Sequence, residues 1–360
     1  MRLDDLNALQ ATTIRGDLGP YDCQIADGLG TEGDVIAVRV TDPGGITALV
    51  DHREQQHPVK AGTVLLGVLA NRDSTTHASG HIPQAGLPII GGTPLAWLGG
   101  QSGLIGTLDW SPAPDNQLGQ QAAGRVEAIG LVHTQFGVLN IAQLSRTPTT
   151  ETDPHTRLLV VAGTAAEVGK TTLASRIIRH LTATKLRVVA VKPTGSGGIT
   201  DSLAHRAAGA VAAYDLVDCG LPSSYTDPGR YARHIRQCLA YAAQHRPDVV
   251  LVELGGDLLW GNNDVFLRQP GLREQVTDVL CVCADATGAL GVDAFLRQRA
   301  LQDLPVTYTP TYTRNPATFT SRLQQLLGPA TAVLDSTTDD ALTTYLRVLT
   351  AVSATANERT

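Results

Sequence analysis

The chain has 360 residues, of which 42% are hydrophobic and 17% charged, and its formal net charge is −6 at pH 7. This length suits two domains, and the mildly negative charge argues against a broad nucleic-acid-binding surface. No apolar run approaches the ~20 residues of a membrane span, and the N-terminus lacks the apolar core of a secretory signal, so we expect a cytoplasmic protein without a nucleic-acid or membrane partner.

Residues 1–147 are predicted to form a β-rich N-terminal domain. Short apolar runs next to glycine lie at residues 33–40, 62–70, 86–92 and 124–141, and such runs are typical of strands between turns. Few stretches here carry a helical period. We therefore expect the smaller domain to be mostly β, built as a barrel or a sandwich.

Two polar clusters interrupt this β pattern, at residues 51–53 and 71–77. A zinc site at His77 and His81 is disfavoured, because the glycine and serine between them oppose the helix that would bring the two rings together. Two interpretations of the second cluster stay open. It is either a solvated loop or a loop that brings Arg72 and His77 to an interdomain site for an anionic substrate.

Residues 145–156 are polar, rich in threonine and contain two prolines, which predicts an exposed linker. Residues 156–352 are predicted to form an α/β domain, because apolar strand-like runs alternate with helix-like runs and so indicate a parallel sheet covered by helices. The motif at residues 163–172, described below, makes this predicted domain P-loop NTPase-like. The predicted strands lie at residues 158–162, 187–191, 248–253, 279–284 and 304–308. The predicted helices lie at residues 170–183, 201–213, 228–245, 292–302, 316–327 and 339–352.

The run GTAAEVGKTT, at residues 163–172, follows an apolar strand and opens a helix. This context is typical of a phosphate-binding loop, whose backbone amides and helix N-terminus attract phosphate. Five residues, rather than the usual four, separate its two glycines. The residues expected to bind nucleotide are Gly163, Thr164, Glu167, Val168, Gly169, Lys170, Thr171 and Thr172. Lys170 would reach the terminal phosphates of ATP, and the Thr171 hydroxyl would bind Mg²⁺.

The second predicted strand ends at Lys192, which is followed by a glycine-rich loop at residues 194–198. A lysine at the carboxyl end of a parallel strand suits a substrate carboxylate or a phosphate. Asp201 opens the next predicted helix, either as its N-cap or as a Mg²⁺ ligand. His205, one turn later, would either touch substrate or be half-buried.

The third predicted strand ends at Glu253, and Asp257 follows shortly after. An acid at the end of a buried strand beside a P-loop suits the binding of Mg²⁺ or the polarisation of a water. Asp257 is a second, weaker candidate for such a role. The predicted catalytic residues are therefore Lys170, Lys192 and Glu253, and the predicted metal ligands are Thr171, Asp201 and Glu253.

The chain contains an odd number of cysteines without framework spacing, which argues against a disulfide scaffold. Cys281 and Cys283 would face the same side of a strand, but the sequence offers no second pair of metal ligands near them. We expect the cysteines to be buried structural thiols. They are Cys23, Cys219, Cys238, Cys281 and Cys283.

The run GTAAEVGKT resembles the phosphate loop of dethiobiotin synthetase, including its longer spacing. The resemblance implies a P-loop fold of the synthetase and cobyrinic-acid amidation type, with Asp201 serving Mg²⁺. The segment from Glu253 to Asp257 is similar to the Glu-Gly-x-Gly-Gly element of these enzymes, with Leu254 in place of the first glycine. Ala165 stands where they usually carry an aspartate, so one carboxylate of that pattern is missing.

Residues 192–291 also resemble the family catalogued as domain of unknown function 1611, some members of which are implicated in N-acylation of D-glutamate. The resemblance lies in TGSGG, AGAVAAYDLVDCGLPSSY, VELGGDLLWGNNDVFL and ADATGALG. It is approximate, since Gly256 and Asp257 stand where the acid usually precedes the glycine. This resemblance implies that Ser223, Ser224 and Tyr225 lie near the substrate, whereas a purely structural interpretation makes them part of a turn.

Three functions are compatible with these residues. The first is an ATP- and Mg²⁺-dependent ligase or synthetase that activates a small carboxylate-bearing metabolite by phosphoryl transfer. The second is an acyl-CoA-dependent N-acyltransferase of an acidic amino acid, with the P-loop holding coenzyme A. The third is a nucleotide-dependent regulatory module. Enzymes of the first type are often dimers, so a homodimer is one expectation.

Overall fold

The computed structural model describes residues 1–16, 18, 21–115, 120–145, 147–149, 156–312 and 314–357. The chain folds into two compact units. Unit 1 comprises Met1–Thr147, Gly195–Thr200 and Asp215–Ile235, and unit 2 comprises Pro148–Thr194, Asp201–Tyr214 and Arg236–Thr360. Two segments of the C-terminal half therefore belong to the unit that contains the N-terminal region. Most of the predicted linker at residues 145–156 lies outside the described residues.

The N-terminal region is built almost entirely of strands, as predicted. They are β1 (Leu9–Gln10), β2 (Gln24–Ala26), β3 (Gly28–Gly30), β4 (Val35–Asp42), β5 (Ala48–Val50), β6 (Gln56–Pro58), β7 (Val64–Leu69), β8 (Leu87–Ile89), β9 (Pro94–Gly99), β10 (Leu104–Gly106), β11 (Gly124–Thr134) and β12 (Gly137–Val138). Two short 3-10 helices lie at Leu3–Leu6 and Ile141–Gln143.

Five of these strands close into a small barrel. β4 pairs with β7, β7 with β10, β10 with β9, β9 with β11, and β11 with β4. The register of β11 shifts between Ala128 and Gly130, and such an irregularity helps a strand to bend around a barrel. Trp97, Ile36 and Leu65 are among the buried side chains that fill the core. The prediction of a β-rich N-terminal region is confirmed.

The C-terminal half forms a six-stranded sheet with the order β15-β14-β16-β13-β17-β18. The strands are β13 (Leu158–Gly163), β14 (Val188–Lys192), β15 (Ala212–Asp215), β16 (Val249–Glu253), β17 (Val276–Cys283) and β18 (Val306–Pro310). The helices are α1 (Lys170–Ala183), α2 (Ile199–Ala207), α3 (Pro228–Ala243), α4 (Asn263–Leu267), α5 (Leu272–Gln275), α6 (Ala286–Gln298), α7 (Pro316–Leu327) and α8 (Asp339–Asn357).

The sheet is parallel across its four central pairings, from β14 through β16, β13 and β17 to β18. All residues of β13 and β16 are buried, as expected for parallel strands that helices cover on both faces. The carboxyl ends of β13, β14 and β16 consequently lie at one edge of the sheet. In open parallel sheets this edge is where ligands bind.

The five predicted strands are all present in this sheet, and the helix predicted at residues 170–183 is α1. Residues 212–213, which were predicted to end a helix, instead begin the edge strand β15. The physical reason is that α2 stops at Ala207, shortly before Gly209 takes a left-handed conformation with φ of 110°. Glycine adopts that conformation without strain and ends helices readily.

The five cysteines are free and buried, as predicted. Cys281 and Cys283 lie on the same face of β17, with their sulfurs 3.9 Å apart. In the described part of the chain, no group of three or more His, Cys, Asp or Glu side chains could hold a metal ion by itself. Within the same residues, no helix combines the length and apolarity that crossing a membrane requires.

Asp278 of β17 is a buried carboxylate that accepts a hydrogen bond from the Tyr345 hydroxyl of α8. Burial raises the pKa of the Asp278 carboxyl above its usual value, although hydrogen bonds from Tyr345 and Thr307 oppose the rise. When the pKa of an acid is higher in the folded than in the unfolded protein, the free energy of unfolding falls as the pH rises from the unfolded pKa through the folded pKa. At neutral pH the charge of Asp278 therefore destabilises the fold.

We expect Asp278→Asn to raise the Tm at about pH 7, and the gain to shrink as the pH falls through the raised pKa of Asp278, where the wild-type carboxyl takes up its proton. The amide oxygen of asparagine still accepts the Tyr345 hydroxyl. Thermal unfolding of both proteins across this pH range measures the effect. Tyr345→Phe is the matched comparison, because it removes the hydrogen bond and should lower the Tm. An asparagine variant that is less stable than wild type at neutral pH would contradict the prediction.

Candidate functional site

The loop between β13 and α1 has the backbone of a phosphate-binding loop. Gly169, immediately before α1, has φ of 102°, and Glu167 also lies in the left-handed region with φ of 61°. A Cβ added to Gly163 would lie 2.8 Å from the Val168 side chain and 3.0 Å from the Lys170 side chain, so a larger residue there would have to displace them. The free amides at the start of α1 and the helix dipole are therefore available to an anion.

Thr164 fastens this loop to the end of β17. Its backbone amide donates to the Val282 carbonyl at 3.0 Å, and its Oγ1 accepts the Ala284 amide at 2.9 Å. The sequence places Thr164 among the nucleotide-binding residues. In the structure its hydroxyl holds the loop in shape.

Lys170 is buried and spans the loop. Its Nζ donates to the Ala165 carbonyl at 2.7 Å and to the Gly256 carbonyl at 2.6 Å. Burial lowers the pKa of the Lys170 ammonium to about 8, although the charges of Glu253 and Asp201 oppose the shift. A partly desolvated ammonium held by two carbonyls can transfer its hydrogen bonds to a phosphate, which is a stronger acceptor.

The three predicted metal ligands lie together. Thr171 Oγ1 is 2.7 Å from Glu253 Oε1 and 3.0 Å from Asp201 Oδ1. The N-cap prediction for Asp201 is wrong, because α2 begins at Ile199 and Asp201 lies in its first turn. Its carboxylate faces Thr171 instead of capping the helix.

Lys192 and His205 complete this buried cluster. The Lys192 ammonium forms an ion pair with Asp201 and lies 4.0 Å from Glu253 Oε1. Burial would raise the pKa of the Asp201 carboxyl, but Lys192 and the hydrogen bond from Thr171 hold it below its usual value. His205 Nε2 is 2.8 Å from Glu253 Oε2, and both side chains are 1% exposed. His205 is therefore fully buried, which the sequence did not indicate.

The segment after β16 is held by side-chain hydrogen bonds. Thr194 Oγ1 accepts the Gly255 amide at 2.8 Å, and Asn263 Nδ2 donates to the carbonyls of Gly255 and Asp257 at 3.1 and 2.7 Å. The Asp257 carboxylate accepts the Leu259 amide at 3.0 Å. Asp257 thus stabilises a turn, and within the described residues its carboxylate makes no hydrogen bond to the cluster around Thr171.

The side chains present fit a nucleotide carrying Mg²⁺ better than an ion alone. Hydroxyl and carboxylate oxygens are the ligands that Mg²⁺ prefers, and this ion usually takes one or two carboxylates together with phosphate oxygens and waters. Lys192 and His205 already partner Asp201 and Glu253. A metal would therefore depend on phosphate oxygens and water for most of its coordination.

Tyr312 borders the loop and was not singled out in the sequence. A Cβ at Gly169 would lie 3.7 Å from the Tyr312 ring, which is 40% exposed. Arg176 of α1 donates to the Tyr312 hydroxyl at 2.7 Å and pairs with Asp339 at 2.6 Å. The aromatic ring is thus held in place beside the phosphate loop, with the Arg176 guanidinium 5.5 Å from its centroid, and stays partly exposed.

No protein-family model and no curated protein matches the chain. Among solved structures, a ParA family ATPase from Chlorobium tepidum TLS is 12% identical, with coverage of 56% of this chain and 93% of that chain and a TM-score of 0.33. FlhF complexed with GMPPNP/Mg(2+) is 12% identical, with coverage of 58% and 80% and a TM-score of 0.34. The kinase domain of Escherichia coli tyrosine kinase ETK is 15% identical, with coverage of 42% and 65% and a TM-score of 0.30.

The chain thus spans slightly less than two thirds of the tyrosine kinase domain. Because no family model matches, the resemblances to dethiobiotin synthetase and to domain of unknown function 1611 stay proposals. The fold itself follows from the structure. A parallel sheet, a glycine-bounded loop between β13 and α1, and the Lys170-Thr171 pair at the start of α1 together form a P-loop α/β fold.

Proposed function

We propose that the protein is an ATP- and Mg²⁺-dependent enzyme of the ligase or synthetase type, which activates a small carboxylate-bearing metabolite by phosphoryl transfer. The observation that carries this proposal is the position of the Thr171 hydroxyl, within 3.0 Å of both Glu253 and Asp201 and next in sequence to Lys170. This combination serves a metal-bound phosphate chain. A homodimer and a cytoplasmic location stay predictions.

In the proposed reaction, a substrate carboxylate oxygen attacks the γ-phosphorus, the bond from that phosphorus to the β–γ bridging oxygen breaks, and ADP leaves. The product is an acyl phosphate, from which an amine or another nucleophile then displaces phosphate. The protein contributes position and charge rather than covalent chemistry. The backbone amides of residues 163–169 and the Lys170 ammonium bind the phosphates.

Mg²⁺, when bound, neutralises phosphate charge, and Thr171, Asp201 and Glu253 are the residues that would hold it. Asp201, which would hold Mg²⁺, is also the ion-pair partner of Lys192. The Lys192 ammonium would therefore lie beside the bound phosphates, where its charge would serve the substrate carboxylate or the charge that develops during transfer. His205 positions Glu253 by a hydrogen bond and does not itself contact the phosphates in this scheme.

One observation favours an alternative. Ala165 stands where dethiobiotin synthetases usually carry an aspartate, and the structure places the Ala165 carbonyl on Lys170. A loop without that carboxylate suits the phosphates of coenzyme A, as an acyl-CoA-dependent N-acyltransferase of an acidic amino acid would require. A regulatory module that binds nucleotide without metabolic turnover is the third alternative.

Calorimetric titration distinguishes these functions. The protein is titrated with non-hydrolysable analogues of ATP and GTP, each with and without Mg²⁺, and separately with coenzyme A. Mg²⁺-dependent binding of the ATP analogue, followed by carboxylate-dependent release of phosphate from ATP, supports the proposal. Binding of coenzyme A alone would overturn it in favour of acyl transfer. Nucleotide binding and hydrolysis that no small carboxylate stimulates would favour the regulatory module.

Tyr312 provides a test of how the nucleotide extends beyond the phosphates. Its ring lies beside Gly169 and is 40% exposed, and aromatic rings stack on nucleobases. We expect Tyr312→Ala to weaken binding of the ATP analogue by about tenfold, since base–aromatic stacking contributes roughly 1–3 kcal/mol. Tyr312→Phe should bind nearly as wild type, because the ring is kept. Equal affinity of the alanine variant and wild type would place the base elsewhere.

A further inference from the structure

The outer face of the N-terminal barrel carries a groove of about 560 Å³. Its floor is formed by the end of β4 and by the starts of β9 and β11, and its wall comes from the loop at residues 107–114, which follows β10. All of these segments belong to unit 1. The volume lies within the range of about 300–1,000 Å³ that is typical of small-molecule sites.

Hydrogen bonds hold the wall of the groove in place. The Thr107 amide donates to the His81 carbonyl at 3.1 Å, and Ser111 Oγ accepts the Ala123 amide at 3.0 Å. The floor is fixed by the strand pairings of β11 with β4 and with β9. The groove is therefore formed before a ligand enters, as small-molecule sites usually are.

Part of the groove is apolar and open to solvent. Leu108 of the wall is among the large hydrophobic residues that stay exposed. Pro94 of the floor and Pro114 of the wall are exposed as well. Exposed apolar residues that line one concave surface are typical of a ligand site, because a ligand with apolar groups removes their surface from water.

Two opposite charges lie on the floor of the groove. Arg125 and Glu127 are both exposed, and since they are two residues apart on β11 they share one face of the strand. In the register of β11 with β4, Arg125 lies opposite Asp42 and Glu127 opposite Arg39. Among the described residues none of these four side chains forms an ion pair, and Asp42 accepts only the Gly44 amide, at 2.9 Å. The charges of Arg125 and Glu127 are therefore available to a ligand.

The separation of these two charges indicates the length of the ligand. Residues two apart on a strand are about 6.5–7 Å apart. The ammonium and the carboxylate of an extended dipeptide are at most about 7 Å apart, because an extended chain spans about 3.3–3.6 Å per residue. A free amino acid holds both groups on one carbon, about 2.5 Å apart. A dipeptide therefore matches the separation of Arg125 and Glu127, and a single amino acid does not.

We propose that this groove is a binding site for a dipeptide with apolar side chains. The carboxylate of the dipeptide pairs with Arg125, whose planar guanidinium matches a carboxylate in a bidentate arrangement. Its ammonium pairs with Glu127, and Asp42 provides a second acid in the same groove. Its apolar side chains cover Leu108 and the exposed prolines. This site goes beyond the proposed function and does not depend on it.

Calorimetric titration without nucleotide tests the proposal with leucyl-leucine and three analogues. N-acetyl-leucyl-leucine lacks the ammonium, leucyl-leucinamide lacks the carboxylate, and leucine lacks the length. The proteins are wild type, Arg125→Gln and Glu127→Gln. Arg53→Gln is the matched control, because Arg53 is an exposed arginine of the same unit and is not among the described residues that line the groove. Lys170→Ala separates this site from the phosphate loop.

We expect leucyl-leucine to bind wild type more tightly than each of the three analogues. Arg125→Gln and Glu127→Gln should each weaken its binding by about fivefold, which is the contribution of one solvent-exposed ion pair. Each loss should depend on the matching group of the ligand. Arg125→Gln should leave the affinity for leucyl-leucinamide unchanged, and Glu127→Gln should leave the affinity for N-acetyl-leucyl-leucine unchanged. A substitution that merely distorted the groove would weaken the binding of every ligand.

Arg53→Gln and Lys170→Ala should bind leucyl-leucine as wild type does. Four results would each overturn the proposal: no binding of leucyl-leucine to wild type, tighter binding of leucine than of the dipeptide, an equal loss for leucyl-leucine and its amide in Arg125→Gln, or a loss of dipeptide binding in Lys170→Ala. The last of these would place the dipeptide at the phosphate loop instead of in the groove.

Discussion

Replacing Lys170 with alanine is expected to weaken binding of an ATP analogue with Mg²⁺ by about thirtyfold or more, because truncating one partner of a buried charge pair costs roughly 2–5 kcal/mol. The Lys170 ammonium is buried and spans the phosphate loop from Ala165 to Gly256. Phosphate is the stronger acceptor, so the free protein keeps the ammonium ready for it. Calorimetric titration measures the loss of affinity.

The fold should survive this substitution. Burial already disfavours the charge of Lys170, as its lowered pKa of about 8 indicates, so its removal relieves a desolvation penalty while it breaks two hydrogen bonds. Lys185→Ala is the matched control, because it removes an exposed lysine shortly after the end of the same helix. Wild-type affinity or turnover in a folded Lys170→Ala protein would contradict the P-loop assignment.

The parallel sheet was predictable because its strands are buried on both faces. The runs at β13 and β16 are almost entirely apolar and only five or six residues long, which is typical of buried parallel strands. β15 was missed for the opposite reason. Its four residues at the sheet edge are only partly buried up to Asp215, so they carry no clear strand pattern. Edge strands depend on pairing with a neighbour, which a local pattern does not reveal.

The parts of the site that depend on short sequence motifs could be predicted. The distance from Gly163 to Lys170 and the acid at the end of β16 are local features, and the fold brings Thr171 within 2.7 Å of Glu253. The His205–Glu253 contact joins residues that are distant in sequence. One signal for it was present, since His205 lies four residues after Asp201 and so shares its helix face.

Which segments belong to unit 1 could not be predicted from local sequence patterns. Gly195–Thr200 and Asp215–Ile235 lie in the predicted P-loop half, yet they group with the N-terminal barrel. Their hydrogen bonds to each other, such as Gly197 N to the Pro222 carbonyl at 2.8 Å, depend on long-range packing.

Glu253→Gln is expected to lower Mg²⁺-dependent turnover by about 100-fold or more, a loss typical of removing one charged group that stabilises a transition state. The glutamine side chain has nearly the same size and can still accept a hydrogen bond from Thr171 or His205. It removes the negative charge at a position that is 1% exposed, where water screens charge poorly. Nucleotide binding without Mg²⁺ should change little, because the loop amides and Lys170 are untouched.

Asp257→Asn is the matched control for this charge removal. Asp257 follows Glu253 by four residues, but within the described residues its carboxylate accepts only the Leu259 amide, and asparagine can make that bond equally well. We therefore expect turnover of Asp257→Asn within about twofold of wild type. Steady-state rates over a range of Mg²⁺ concentrations separate weaker metal binding, which excess Mg²⁺ restores, from a slower chemical step, which it does not. If Asp257→Asn lost turnover and Glu253→Gln kept it, the prediction would be wrong. Asp257, and not Glu253, would then be the acid that holds Mg²⁺ together with Thr171.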